Sequence, residues 1–363
     1  MLITGLLGAA LVTACSSPPP TPLPVIPNPV QPSPTAPPMS TAVLPSPEAE
    51  GVATMVRALA TNAQTTPFIL PQPRATLGGS TAALRPTALT LGDIPAMENF
   101  LRQVPILYQF ESPLLHDIYL RGQQNGSSPY MFSVIGDSNS TNGDFLYPLG
   151  LDNPNVCSLG AYVELEPAVT WFSTPVNERG QNAFTRSSVT ANRGFNSAAI
   201  FDPFWASTAV CTPGETPLIC EYRTANPFAA VIMLGGIDVN SLTTQTYHDN
   251  MNQIVADSIA QGVIPVLTTF VVLPERDLYP LSLEFNLMLV QIAERHRTPL
   301  INLWAEAESL PDFGIGPDRT HLRARVGSFC DFTGAQREFG GTLRNLLTLQ
   351  ALDQLRRRLI EGA

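Results

Sequence analysis

Three residue types in this chain could carry out nucleophilic chemistry if they met. Ser138 follows a short apolar run, Tyr130-Met131-Phe132-Ser133-Val134-Ile135, that stops abruptly at Gly136-Asp137-Ser138. His321 ends the stretch Gly316-Pro317-Asp318-Arg319-Thr320-His321. A serine hydroxyl is a poor nucleophile until a base takes its proton. An imidazole can be that base when a carboxylate holds it in the correct tautomer. Asp318, on the same short loop as His321, would arrive with it as a unit. Gly136 is expected to let the backbone turn sharply before Ser138. Asp137 adjoins the serine and so points elsewhere. It is expected to tie the loop down by accepting backbone N–H bonds.

Strands must hold these loops at one place. Met131 to Ile135, Ala229 to Leu234, Val263 to Phe270 and Pro299 to Trp304 read as strands, and a further short one lies near Ser188 to Ala191. The second is fully apolar, as a strand covered on both faces would be. Tyr247 to Gln261, with its Gly262 stop, Ser282 to His296 and Thr342 to Ile360 read as helices between and after them. Alternation of short apolar strands with helices predicts an α/β fold with a parallel sheet. Ligands of such sheets sit beyond the carboxyl ends of the strands. Gly136-Asp137-Ser138 follows the first of these strands and Asp318-x-x-His321 the last. His116, His248 and His296 lie in helix-like surroundings and are expected to be structural or solvated. Core packing is the expectation for Trp171, Trp205 and Trp304.

Composition excludes several classes. All 20 basic residues are arginine, so Schiff-base chemistry, a Ser-Lys dyad and a lysine-bearing phosphate loop are ruled out. With a net charge of −10 and no basic run interleaved with aromatics, nucleic-acid binding is not expected. Arg356-Arg357-Arg358 suits the last turn of a helix, where the dipole favours cations. The apolar run Leu2 to Ala14 is too short to span a bilayer comfortably and ends in Leu11-Val12-Thr13-Ala14-Cys15. Small residues before a cysteine resemble a bacterial lipobox, with Cys15 the lipidated residue; a plain secretory signal is the alternative. Residues 16–92 are rich in proline and threonine and read as a mostly disordered stalk. The expected organisation is a signal segment at 1–15, the linker at 16–92 and one domain at 93–363. Membrane contact would come only through the lipid anchor.

Four further cysteines suggest two disulfides in an exported chain. Cys211 and Cys220 bracket a short loop with a Pro213-Gly214 turn and are the easiest pair to close, which leaves Cys157 with Cys330. No Cys-x-x-Cys pair is present, so a metal site is not expected.

Gly136-Asp137-Ser138 and Asp318-x-x-His321 together resemble the first and last blocks of the SGNH, or GDSL-like, hydrolases. The resemblance spans about residues 130–322. It implies a flavodoxin-like three-layer α/β/α fold and a serine esterase in which Ser138 is the nucleophile, His321 the base and Asp318 its orienting acid, with no cofactor. In the second block of that family a glycine N–H helps bind the oxyanion. Here Asn192-Arg193-Gly194-Phe195-Asn196-Ser197 matches it, with Ser197 at the glycine position. The third block, normally Gly-x-Asn-Asp, is Gly235-Gly236-Ile237-Asp238. Isoleucine has no side-chain donor, so the oxyanion would be held by the N–H groups of Ser138 and Ser197, with Asn139, Asn196 or Asn240 as substitutes. The implied substrate is a small ester, such as an acylated surface glycan. A non-catalytic binding module on the same fold and a surface acyltransferase using the same triad are the alternatives. Oligomeric state is not legible.

Overall fold

The computed structural model describes residues 93–362, apart from 142, 144, 154, 155, 175, 176, 178, 325, 326 and 328. The expected signal at 1–15, its Cys15 and the linker at 16–92 lie outside the described residues. Strands β1 (Leu107–Tyr108), β2 (Ser128–Gly136), β3 (Pro227–Met233), β4 (Ile264–Thr268) and β5 (Leu300–Ile301) form a mixed sheet in the order β1-β5-β4-β3-β2. Neighbours from β2 to β5 are parallel, and β1 runs antiparallel to β5 at the edge. A parallel bridge from Gly136 to Ala191 places the segment near Ser188 on the other side of β2. The loops that leave β2, β3, β4 and β5 therefore share one sheet edge.

Every residue of β3 is buried, as its unbroken apolar sequence requires at the centre of a sheet covered on both faces. The expected fourth strand is shorter than its apolar run. Only Leu300–Ile301 pair, because the Asn302 side chain accepts the Ala305 N–H at 3.4 Å and starts a helical turn, Leu303–Ala307. The Asn302 amide also donates to the carbonyls of Leu101 and Val104 at 2.8 and 3.0 Å. The antiparallel β1 departs from the all-parallel expectation; a two-residue strand leaves no readable period.

Helices α1 (Ile94–Gln103), α2 (Leu114–Gln124), α3 (Glu166–Ser173), α4 (Pro217–Ala225), α5 (Thr244–Gln261), α6 (Tyr279–His296) and α7 (Gly340–Leu355) pack around the sheet. Helix α5 starts where the Thr243 hydroxyl accepts the Thr246 N–H and ends at Gly262, which has φ +81°. Tyr247 of α5 stacks on Phe285 of α6 at 4.0 Å. Phe172 of α3 meets Phe132 of β2 edge-on at 5.5 Å. Helix α7 is buried almost throughout, so it is a core element rather than an amphipathic surface helix. Its end widens into a turn at Arg356–Glu361. The three arginines there are ion-paired: Arg356 and Arg357 with Asp353 at 2.9 Å each, and Arg358 with Glu111.

Trp304 is fully buried and Trp171 donates to the Pro129 carbonyl at 3.0 Å. Trp205 departs from the core expectation. It is half exposed beside Phe204 in an aromatic turn that Asp202 caps. His296 faces Asn252 at 2.9 Å and His248 faces Asp249 at 3.1 Å, both on the α5–α6 side. Among the described residues no helix is long and apolar enough to cross a membrane.

Both disulfides are formed, Cys211–Cys220 and Cys157–Cys330. They close chain separations of 9 and 173 residues. Chain-entropy scaling gives about 3 kcal/mol for the short loop and about 5 kcal/mol for the long one. Replacing the pair Cys157 and Cys330 by serine is therefore expected to lower unfolding stability by more than replacing Cys211 and Cys220. Denaturant titration of the two double variants checks the ranking; equal losses would count against it.

Candidate active site

Strand β2 delivers the first group. A Cβ on Gly136 would fall 2.2 Å from the Ser140 hydroxyl and 2.7 Å from the Met233 carbonyl. Gly136 is not among the residues with positive φ, so the turn needs glycine for space and not for backbone freedom. Asp137 is 3% exposed, and its carboxylate accepts the Asn139 N–H at 2.9 Å. Its carbonyl accepts the N–H groups of Ser140 and Thr141, which winds Ser138–Thr141 into one helical turn. Burial pushes the Asp137 carboxyl above the usual range. The Asn139 N–H and the positive charge of Arg344 pull the other way.

The second group arrives on a closed loop after β5. Ile315 bridges Leu322, and the Gly316 N–H donates to the His321 carbonyl at 2.8 Å. Arg319 sits at the tip with φ +60°, a conformation that costs a non-glycine residue about 1–3 kcal/mol. Its side chain pairs with Glu275 at 2.5 Å and its carbonyl accepts Arg276 Nη1 at 3.2 Å, so the loop before α6 holds it there. Asp318 Oδ1 accepts the N–H groups of Thr320 and His321 at 3.1 and 3.0 Å. Its Oδ2 lies 2.6 Å from His321 Nδ1. Partial burial raises the Asp318 pKa. The bonds from the His321 ring and the two N–H groups outweigh it and hold the carboxyl below its usual value.

The two loops meet. His321 Nε2 lies 2.8 Å from Ser138 Oγ. With Nδ1–H given to Asp318, Nε2 is left to accept the Ser138 O–H. The Leu322 N–H donates to Asn139 Oδ1 at 2.9 Å, a second link between the same loops. Behind the turn, the guanidinium of Arg344 on α7 donates to the Asn139 carbonyl at 2.8 Å and to Ser140 Oγ at 2.9 Å. It is 1% exposed, and burial pulls its pKa down to about 9 against the charge of Asp137. The sequence reading passed over Arg344. Its signal was a charge set among leucines on a helix with apolar residues on every side, where an ion must be buried and partnered.

A cavity of about 70 Å³ opens at Ser138. Ile237, Phe270, Val272 and Leu322 form its apolar wall, and Asn139, Asn240 and Arg276 its polar part. Gly235 shapes it: φ is +138°, and a Cβ there would lie 2.1 Å from the Phe270 ring. The expected oxyanion donors divide. Ser197 is fully buried and its N–H donates to Asp238 Oδ1 at 2.7 Å, so it is not free to hold an anion at Ser138. The Asn196 amide donates to Ser241 Oγ at 3.2 Å, and Asn196 does not line the cavity. Asn139 and Asn240 do line it, and the Asn240 amide has one long contact, 3.4 Å to the Gly236 carbonyl. Among the described residues the grouping of metal-ligand types is Cys211, Glu215 and Cys220, whose thiols are joined in a disulfide.

Changing Asp318 to Asn keeps the loop's size but offers Nδ1 a donor where it needs an acceptor. Labelling of Ser138 by a serine-directed phosphonate is expected to slow about a thousandfold or more. An unchanged rate in Asp318→Asn would remove Asp318 from the arrangement.

No family profile matches the chain, and no curated protein matches it. Among solved structures, the chain is similar to LAE5, described as an alpha/beta hydrolase enzyme from the metagenome of Lake Arreo, Spain. The two share 16% identity at a TM-score of 0.39, over 62% of this chain and 95% of that one. An overlap that loose says nothing of activity, and the chemistry rests on the geometry of Ser138, His321 and Asp318.

Proposed function

We propose that the chain is an SGNH-like serine hydrolase that cleaves a short-chain ester. The observation that carries this reading is the contact chain Ser138 Oγ–His321 Nε2–Asp318 at the mouth of an apolar cavity. The sheet supports it. Read outward from the Ala191 bridge, the parallel segments run in the doubly wound order of flavodoxin-like folds, with β1 added at the far edge.

In this mechanism Ser138 Oγ attacks the ester carbonyl while its proton passes to His321 Nε2. Asp318 stabilises the imidazolium. The tetrahedral oxyanion is held by the Ser138 N–H and by side-chain amides of Asn139 and Asn240. His321 then protonates the departing alcohol, and water, activated by the same imidazole, releases the acid from Ser138. Two disulfides fit an oxidising compartment outside the cytoplasm. Lipidation at Cys15 would tether the domain to a membrane surface, where acylated glycans are one source of such esters.

The cavity sets the acyl length. A volume of about 70 Å³ is that of about two waters, which leaves room for an acyl group of about two or three carbons. Turnover of nitrophenyl esters is expected to fall steeply beyond that length, and Ser138→Ala to abolish it. Ile237→Ala, which removes part of the apolar wall, is expected to move the optimum to longer chains. A wild-type protein that neither turns over these esters nor takes up a phosphonate would favour the binding module. Acyl transfer to an added sugar in preference to water would favour the acyltransferase. Asn240→Ala and Asn139→Asp each remove one amide donor, and each is expected to lower kcat about 10- to 1000-fold. If neither changes kcat, the oxyanion is held elsewhere.

A further inference from the structure

We propose that Arg344 is a positioning residue that clamps the nucleophile turn and, through Asn139, its register with the base loop; its effect on turnover rests on the hydrolase reading above. Taking a guanidinium out of water is expensive, and an apolar side chain would suit an all-round buried helix better. At Arg344 the fold bears that cost without a direct ion pair among the described residues. Arg344 Nη1 and Nη2 land on the carbonyl of Asn139 and the hydroxyl of Ser140, the two residues after Ser138. Its Cζ lies 3.6 Å from the centroid of the Phe145 ring, a cation–π contact that helps hold the fork in place. Asp137, on the other side of Ser138, supplies the compensating negative charge.

Asn139 is thereby held from three directions. Its N–H goes to Asp137, its carbonyl to Arg344, and its Oδ1 takes the Leu322 N–H next to His321. A shift of the Asn139 peptide moves Ser138 on one side and the base loop on the other. A misplacement of about 1 Å between reacting groups costs about 100-fold. The Nε of Arg344 has no partner among the described residues, so the guanidinium's contribution runs through the two Nη bonds.

Arg344→Lys keeps a donor at this position but cannot span both acceptors. The expected result is a folded protein whose kcat falls about 10- to 100-fold with KM within about twofold of wild type. Ser140→Ala removes one acceptor and leaves the guanidinium in place. Its effect on kcat should be smaller and non-additive with Arg344→Lys. Amide exchange at Asn139 and Leu322 should speed up in both variants while β3 stays protected. Wild-type kcat in a folded Arg344→Lys, additive effects, or exchange that rises equally through β3 would each overturn the clamp. Should Arg344→Lys fail to fold, the kcat and exchange of Ser140→Ala read the same contact. Exchange needs no turnover, so an inactive wild type would defeat the hydrolase reading while still leaving the clamp to be judged.

Discussion

The bond between the Leu322 N–H and Asn139 Oδ1 joins the ends of a 183-residue excursion of the chain. The His321 loop has its own closure, through Ile315 and Leu322, and the Ser138 turn has its own, through Asp137. Neither closure fixes one loop relative to the other. A side chain adjoining the serine bonds a backbone group adjoining the histidine, and this ties the two loops to each other. The distance from Ser138 Oγ to His321 Nε2 follows from that constraint as much as from the sheet.

The Cys157–Cys330 bridge works on the same segment from its far side. The chain between His321 and α7 carries Cys330, and around the bridge Ser158 and Asp331 pair, with the Ser158 N–H on the Cys330 carbonyl at 3.0 Å and the Phe332 N–H on the Ser158 carbonyl at 2.7 Å. The Asn345 amide adds a bond to the Phe329 carbonyl at 2.8 Å, and its Oδ1 accepts the Leu146 N–H at 2.9 Å. Helix α7 thus touches the segments after both loops, through Arg344 at the Ser138 turn and Asn345 between Leu146 and Phe329. A buried helix suits this task because its packing leaves it little room to move.

Much of this was legible in the sequence. Strand–helix alternation gave the sheet, and the spacing of Gly136-Asp137-Ser138 and Asp318-x-x-His321 gave the residues that meet. The losses have physical causes. Leu107–Tyr108 is too short to show a period. The run from Pro299 to Trp304 reads as one strand because apolarity does not distinguish a buried strand from a buried helix; only the capping geometry of Asn302 separates them. Gly136 invited an explanation by dihedral freedom when the need was space beside Ser140. The roles of Arg344 and Ser197 are not legible locally, because what decides each is a partner more than 40 residues away.

That partnership of Ser197 sets the middle of the site. Asp238 is buried, and burial pushes its carboxyl above the usual range while the Ser197 bonds pull it back. Its Oδ1 takes the Ser197 N–H and its Oδ2 has no partner among the described residues. The Ser197 hydroxyl in turn accepts from the Asn250 amide at 3.0 Å. The loop after Ala191 is therefore pinned to the loop after β3 by a carboxylate that draws the N–H away from the cavity. Asp137 does the same for its own turn through the Asn139 N–H. Two buried carboxylates at neighbouring strand ends each consume a backbone donor to fix a loop. Rigid loops around Ser138 are gained at the expense of free backbone donors, and the polar groups left at the cavity wall are side chains, Asn139 and Asn240 among them.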